Sequence, residues 1–121
     1  MTHTEQDRTL ADGLRKLIGS KLSSIEFVMD YVQLRFDGPT LTAYTTPTVV
    51  RDNDKYAWGG SGYRDALCDQ ISHELRQVEV DEQVRLTFDD GVSVLISLRD
   101  EDYTGPEALH FVLDKDHWWV A

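Results

Sequence analysis

The sequence predicts an α+β domain in which two short helices pack on a mostly antiparallel sheet. Three observations carry that expectation: two stretches repeat apolar residues at helical spacing, others alternate apolar with polar residues, and Asp-Gly turns punctuate the alternating stretches. At 121 residues, the chain has the length of one domain with a real hydrophobic core. A 40% hydrophobic and 28% charged composition belongs to a globular protein and excludes a disordered or collagen-like one.

The first helix begins at Thr9-Leu-Ala-Asp12, which has the form of a capping box, and Leu10, Leu14, Leu17 and Ile18 recur at helical spacing up to Gly19. Ser24 to Val28 reads as a strand. Tyr31 to Phe36 then places Val32, Leu34 and Phe36 on one face, Asp37-Gly38 turns the chain, and Leu41 to Thr45 returns antiparallel. Pro47 and the run Arg51-Asp52-Asn53-Asp54-Lys55 mark the loosest part. The glycine-rich stretch Trp58-Gly-Gly-Ser-Gly62 reads as the entry to a second helix over Tyr63 to Leu75, with Leu67, Ile71 and Leu75 on one stripe. Strands follow at Gln77 to Val80, Val84 to Phe88 and Val92 to Leu98, with Asp89-Asp90-Gly91 as a turn. After a polar break at Glu101 to Gly105, Ala108 to Leu113 and His117 to Val120 form a closing hairpin around Asp114-Lys115-Asp116. Six to eight strands are expected, in one continuous sheet or in two pseudo-symmetric halves.

A repeat underlies this order. At an offset of 53, Asp12, Leu14, Ile18, Leu22 and Glu26 face Asp65, Leu67, Ile71, Leu75 and Glu79. With one residue dropped, Val32, Leu34, Phe36 and Asp37 face Val84, Leu86, Phe88 and Asp89, and Gly38 matches Gly91 once the turn is lengthened by one. A shared fold alone would bring the apolar positions into phase; the matching acids favour duplication. The units span 9–46 and 62–98 within a single domain 1–121, and a C-terminal hairpin covers 108–120.

Charge narrows the partners. Against 22 Asp and Glu stand 12 Lys and Arg, a net charge of −10 that repels nucleic acid and anionic membrane surfaces and favours a basic protein or a cation. Residues 1–51 balance six acids with six bases, so the excess lies wholly in residues 52–121. The lone cysteine, Cys68, forms no internal disulfide and reads as a small core residue within the second helix. The N-terminus lacks a basic stretch followed by an apolar run, and no segment has the length of a membrane span, so a soluble, cytoplasmic protein is expected.

No catalytic residue and no cofactor emerges. His73-Glu74 is not a zinc-binding His-Glu-x-x-His motif because Gln77 stands in the last position, and Asp89-Asp90-Gly91 serves as a turn. His110 and His117, with Asp114 and Asp116, are the alternative metal ligands, meeting across the last hairpin. The acidic run Asp100, Glu101, Asp102 and Glu107, with Tyr103 and the connection Asp81-Glu82, is read either as solvated loop or as a surface for a basic partner. Of the adjacent Trp118 and Trp119, strand alternation sends one to the core and one toward the surface.

Tyr31-Val-Gln-Leu-Arg-Phe-Asp-Gly38, Tyr63-Arg-Asp-Ala-Leu-Cys68, Val84-Arg-Leu-Thr-Phe-Asp-Asp-Gly91 and Gly105-Pro-Glu-Ala108 together resemble small uncharacterised bacterial α+β proteins, some of which are grouped with immunity proteins of toxin systems. The resemblance implies an intracellular protein that binds a cognate toxin and catalyses nothing; it transfers no residue role. The expected function is therefore a non-enzymatic protein-binding module that captures a basic partner through Asp81, Glu82, Asp100, Glu101, Asp102, Tyr103 and Glu107. The alternatives are a small metal-dependent hydrolase and a structural homodimer joined through exposed tryptophan and open sheet edges.

Overall fold

Thr9 opens the first helix, its hydroxyl accepting from the Asp12 N–H at 3.1 Å, in a computed structural model that describes residues 9–103 and 105–121. Helix α1 (Leu10–Arg15) stops four residues before Gly19, whose φ of 94° turns the chain sharply. Leu14 and Leu17 are buried, whereas Ile18, placed on the same stripe by its spacing, is 43% exposed because the helix has already ended.

Three antiparallel strands follow: β1 (Ser24–Val28), β2 (Tyr31–Arg35) and β3 (Thr40–Ala43), with Leu34 opposite both Ile25 and Leu41. The run expected to be loosest is a hairpin, β4 (Thr48–Arg51) and β5 (Asp54–Tyr56). Its turn residues Asp52 and Asn53 have φ of 53° and 70°, the left-handed pair that matches strand twist and that Asp and Asn adopt more readily than other side chains.

Helix α2 (Tyr63–Cys68) starts on Gly62 at φ 80° with no side-chain cap. It is much shorter than its apolar stripe. Ser72, at φ 82°, reverses the chain, and Leu75 belongs to β6 (Leu75–Val80). Cys68 lies on the exposed side, because Tyr63, Ala66 and Leu67 form the buried face of so short a helix. Strands β7 (Gln83–Phe88) and β8 (Ser93–Ser97), a 3₁₀ turn at Asp100–Asp102, β9 (Leu109–Asp114) and β10 (His117–Val120) complete the chain.

The described residues form two five-stranded antiparallel sheets, ordered β1-β2-β3-β9-β10 and β6-β7-β8-β4-β5, more strands than the six to eight expected. The order reveals an exchange: each three-strand meander is widened by the hairpin that follows the other one. Residues 44–47 carry the chain from the first sheet to the second, and residues 98–108 carry it back.

The two units meet along a seam with local twofold symmetry. Gly19 N–H donates to Leu75 O at 2.8 Å and Ser72 N–H to Leu22 O at 2.7 Å, while Leu75 N–H donates to Ser20 O at 2.9 Å and Leu22 N–H to His73 O at 3.1 Å. Each bond in a pair becomes the other when the offset of 53 is applied. Lys21 and Glu74, themselves 53 apart, form the isolated bridge between them. Nearby, Phe36 and Phe88 stack in parallel at 6.5 Å. Leu14, Leu22, Leu34, Leu41, Leu67, Leu75, Leu86, Ile96 and Phe111 fill the interior around this seam. No described helix is long and apolar enough to cross a membrane.

Helix α1 packs against β6 and also against β10, where Trp119 stacks on Phe111 at 5.7 Å and covers Gly13. A Cβ at Gly13 would lie 2.6 Å from the Trp119 ring. Trp119 is thus the inward tryptophan, and Trp118 is 52% exposed. Gly13→Ala tests this contact, since alanine is the better helix former by about 1 kcal/mol while the overpacked ring costs about 1–3 kcal/mol. A lowered urea midpoint is expected; a midpoint at or above that of the parent would show that the ring yields freely.

Candidate functional site

The sharp reversal after α2 brings a histidine against the turn between β7 and β8. Gln70 N–H bonds Leu67 O, and His73 N–H bonds Gln70 O at 3.0 Å, so Gln70 and His73 bracket one tight loop. Asp89 N–H donates to Glu74 O at 2.8 Å, and the Asp89 carboxylate accepts from Glu74 N–H at 3.2 Å. This reciprocal pair locks the Asp89-Asp90-Gly91 turn beside His73.

The side chains converge there. His73 Nδ1 lies 2.6 Å from Asp89 Oδ1, and His73 Nε2 lies 3.6 Å from Asp90 Oδ2. Gln70 Nε2 donates to the same Asp90 oxygen at 3.2 Å, and Asp90 Oδ1 accepts from Val92 N–H. One potential ligand atom each from His73, Asp89 and Asp90 fits within 4.8 Å. The imidazole is half-buried and both carboxylates meet solvent. Gln70 is only 1% exposed, and its Oε1 has no hydrogen-bond partner among the described residues. A buried amide oxygen left unpaired, on a side chain whose nitrogen bonds Asp90, is costly in isolation.

Electrostatics follow from these contacts. The hydrogen bond to Asp89 raises the His73 pKa above its ordinary value, partial burial opposes it, and the charges of Asp90, Asp89 and Asp69 add to the rise. The same hydrogen bond, followed by the one from Glu74 N–H, holds the Asp89 carboxyl below its usual range.

Comparison of the two units shows why the trio occurs once among the described residues. By the offset of 53, Ser20 occupies the place of His73 and Leu17 that of Gln70; with one residue dropped, Asp37 stands for Asp89. Asp90 has no counterpart, because it is the residue by which the second turn is longer. The seam and the paired turn bonds, Phe36 N–H to Pro39 O and Phe88 N–H to Val92 O, are otherwise preserved. His73 and the extra aspartate were both visible in the sequence, but a turn role accounted for Asp89-Asp90-Gly91, and only the left-handed Ser72 turns His73 toward it.

The residues singled out by sequence are placed differently. His117 Nδ1 meets Asp114 Oδ1 at 2.8 Å, and the latter also accepts from Asp116 N–H. His110 pairs with Val120 at the other end of the hairpin and sets its ring edge-on to Trp118, so His110 and His117 do not converge. The acidic set divides in two. Glu82 pairs with Arg99 at 3.0 Å, Asp102 accepts from Ser97 Oγ, and Asp81 accepts from Gln83 N–H around one groove, with Asp100 and Glu101 beside Arg99. Tyr103 and Glu107 instead line a separate cleft. Partial burial, then the charges of Asp65 and Asp69, raise the pKa of the Cys68 thiol, which disfavours the thiolate.

The His73–Asp89 pair sets a pH window for stability. His73, raised from 6.5, stabilises fully below that value and loses the contribution as pH rises through its folded pKa; Asp89, lowered from 3.8, stabilises above 3.8 and loses the contribution as pH falls through its own. The stability difference between the parent and His73→Gln is therefore expected to be largest between these two reference values and to shrink on alkalinisation. NMR titration should place the His73 midpoint above 6.5 in the parent and lower in Asp89→Asn. An unchanged midpoint would show that the contact does not form in solution.

Compared with protein-family models, curated proteins and solved structures, the chain matches none, so the geometry of its own residues carries the functional reading.

Proposed function

We propose that the protein binds a divalent transition-metal cation through His73, Asp89 and Asp90, and that its activity is metal-dependent. The observation that carries this reading is the convergence of one imidazole and two carboxylates over the buried Gln70 amide, whose oxygen lacks a partner. An imidazolium leaves the trio with one net negative charge. A dication beside neutral imidazole cancels both carboxylates, and a rotated Gln70 amide would direct its oxygen toward the same ion in place of its N–H.

The donor set selects the metal class. Mixed nitrogen and oxygen ligands suit zinc, manganese or iron, whereas calcium takes a fuller shell of oxygens. Three side chains on an open surface leave coordination positions for water, the arrangement through which a metal activates a hydrolytic nucleophile. This supports the metal-dependent hydrolase reading over steric capture by the acidic groove, whose Glu82 is already paired with Arg99.

Titration of the full chain with Zn²⁺ by calorimetry, and with Mn²⁺ by NMR line broadening, tests the proposal. Binding is expected to broaden His73, Asp89 and Asp90 first. His73→Ala and Asp90→Asn should each weaken binding by about tenfold or more, and His117→Ala should leave it unchanged. Affinity should fall on acidification, because protons compete for His73 with the advantage of its raised pKa. Binding of equal strength in the His73→Ala/Asp90→Asn double variant would overturn the assignment.

A further inference from the structure

A second site lies where the two crossover connections meet the first sheet. Tyr44 N–H donates to Ala108 O at 2.7 Å, which draws the end of β3 against the returning connection. Asp30, in the turn between β1 and β2, Tyr44, Tyr103, Gly105, Pro106 and Glu107 line a cleft of about 440 Å³. Its aromatic walls are held in place: Tyr44 packs edge-on against Tyr31 at 5.8 Å, and the Tyr103 hydroxyl donates to Asp100 Oδ1 at 2.9 Å.

The charges around the cleft have no partner within the described chain. Glu26, Glu79, Glu82 and Asp69 are each paired with an arginine, and those arginines, Arg35, Arg85, Arg99 and Arg51, are thereby occupied. Asp30 and Glu107 make no ion pair or hydrogen bond with any described residue, yet both border the same two tyrosines. No described cation pairs with either carboxylate.

We propose that this cleft receives an arginine side chain of a basic partner protein. A guanidinium is flat enough to lie against a tyrosine face and carries the forked donors that a carboxylate accepts; the ammonium of lysine offers only a compact charge. A polypeptide ligand also suits the cleft because Tyr44, on its lining, is 37% exposed. The net charge of −10 draws such a partner in, while the tyrosine walls and the Asp30–Glu107 rim fix where it docks. The cleft shares no residue with the His73 trio, and the two readings stand or fall separately.

NMR titration of the full chain with acetyl-Gly-Arg-Gly-amide, and with the neutral isostere in which citrulline replaces arginine, decides the matter. The arginine peptide is expected to shift the amides of Tyr44, Tyr103 and Gly105 and to bind about tenfold more tightly than the citrulline peptide. Asp30→Asn with Glu107→Gln should remove that preference, whereas Glu82→Gln should retain it; a dispersed amide spectrum for each variant confirms folding. Equal binding of the two peptides would overturn the proposal, as would shifts spread over Asp81, Glu82 and Asp100 to Asp102. Free arginine binding as tightly as the peptide would reassign the cleft to a small molecule.

Discussion

Four backbone hydrogen bonds between residues 19–22 and 72–75 hold the two halves of this protein together, and the rest of the architecture is arranged around them. The bonds come in two pairs exchanged by the 53-residue offset, so each unit presents to the other the same edge that it receives. Leu22 and Leu75, the residues that donate and accept on each side, have no exposed surface. A buried backbone that lost these partners would leave several polar groups unsatisfied at once. The seam also explains the left-handed residues beside it. Gly19 adopts φ 94° without cost, and Ser72 is held at φ 82° while its N–H reaches Leu22 O.

The exchange of hairpins follows from this symmetry. Each meander has an open edge at its third strand, and the hairpin arriving from the other unit closes it: β9 pairs with β3, and β4 pairs with β8. The exchanged hairpins also supply aromatic cover, since Trp119 lies over Gly13 of α1 and Tyr56 approaches Gly62 at the start of α2. Two six-residue helices with little intrinsic stability are thus held by side chains from the strands of an exchanged hairpin.

The proposed metal site lies where the symmetry is broken. Ser20 and Asp37 remain around one turn, whereas the equivalent positions carry His73 and Asp89, with Asp90 added and Gln70 buried beneath them. The scaffold bonds on both sides are the same, so the substitutions alter chemistry without altering the frame. The acidic balance acts at two levels. Glu26, Asp69, Glu79 and Glu82 are taken up by the chain's own arginines, whereas Asp30 and Glu107 pair with no described residue and border the tyrosines of the cleft proposed for an arginine.

By itself, the sequence determined the α+β class, the repeat offset, the Thr9 cap and most strand positions, because each depends on local periodicity, turn chemistry or self-similarity. It also located the charge excess and paired Trp118 with Trp119 on opposite faces. The β4–β5 hairpin escaped notice because its short strands end in charged residues and its turn needs two left-handed side chains, Asp52 and Asn53, in place of a glycine. Helix α2 was read too long because Ile71 and Leu75 keep helical phase while already serving the reversal and β6. Only the tertiary structure decided that the sheets exchange hairpins, that His73 faces Asp89 and Asp90 while His110 and His117 stand apart, and that Tyr103 and Glu107 join Asp30 and Tyr44. Those outcomes depend on contacts between residues far apart in the chain, and these are fixed by strand pairing across the seam, which no local pattern encodes.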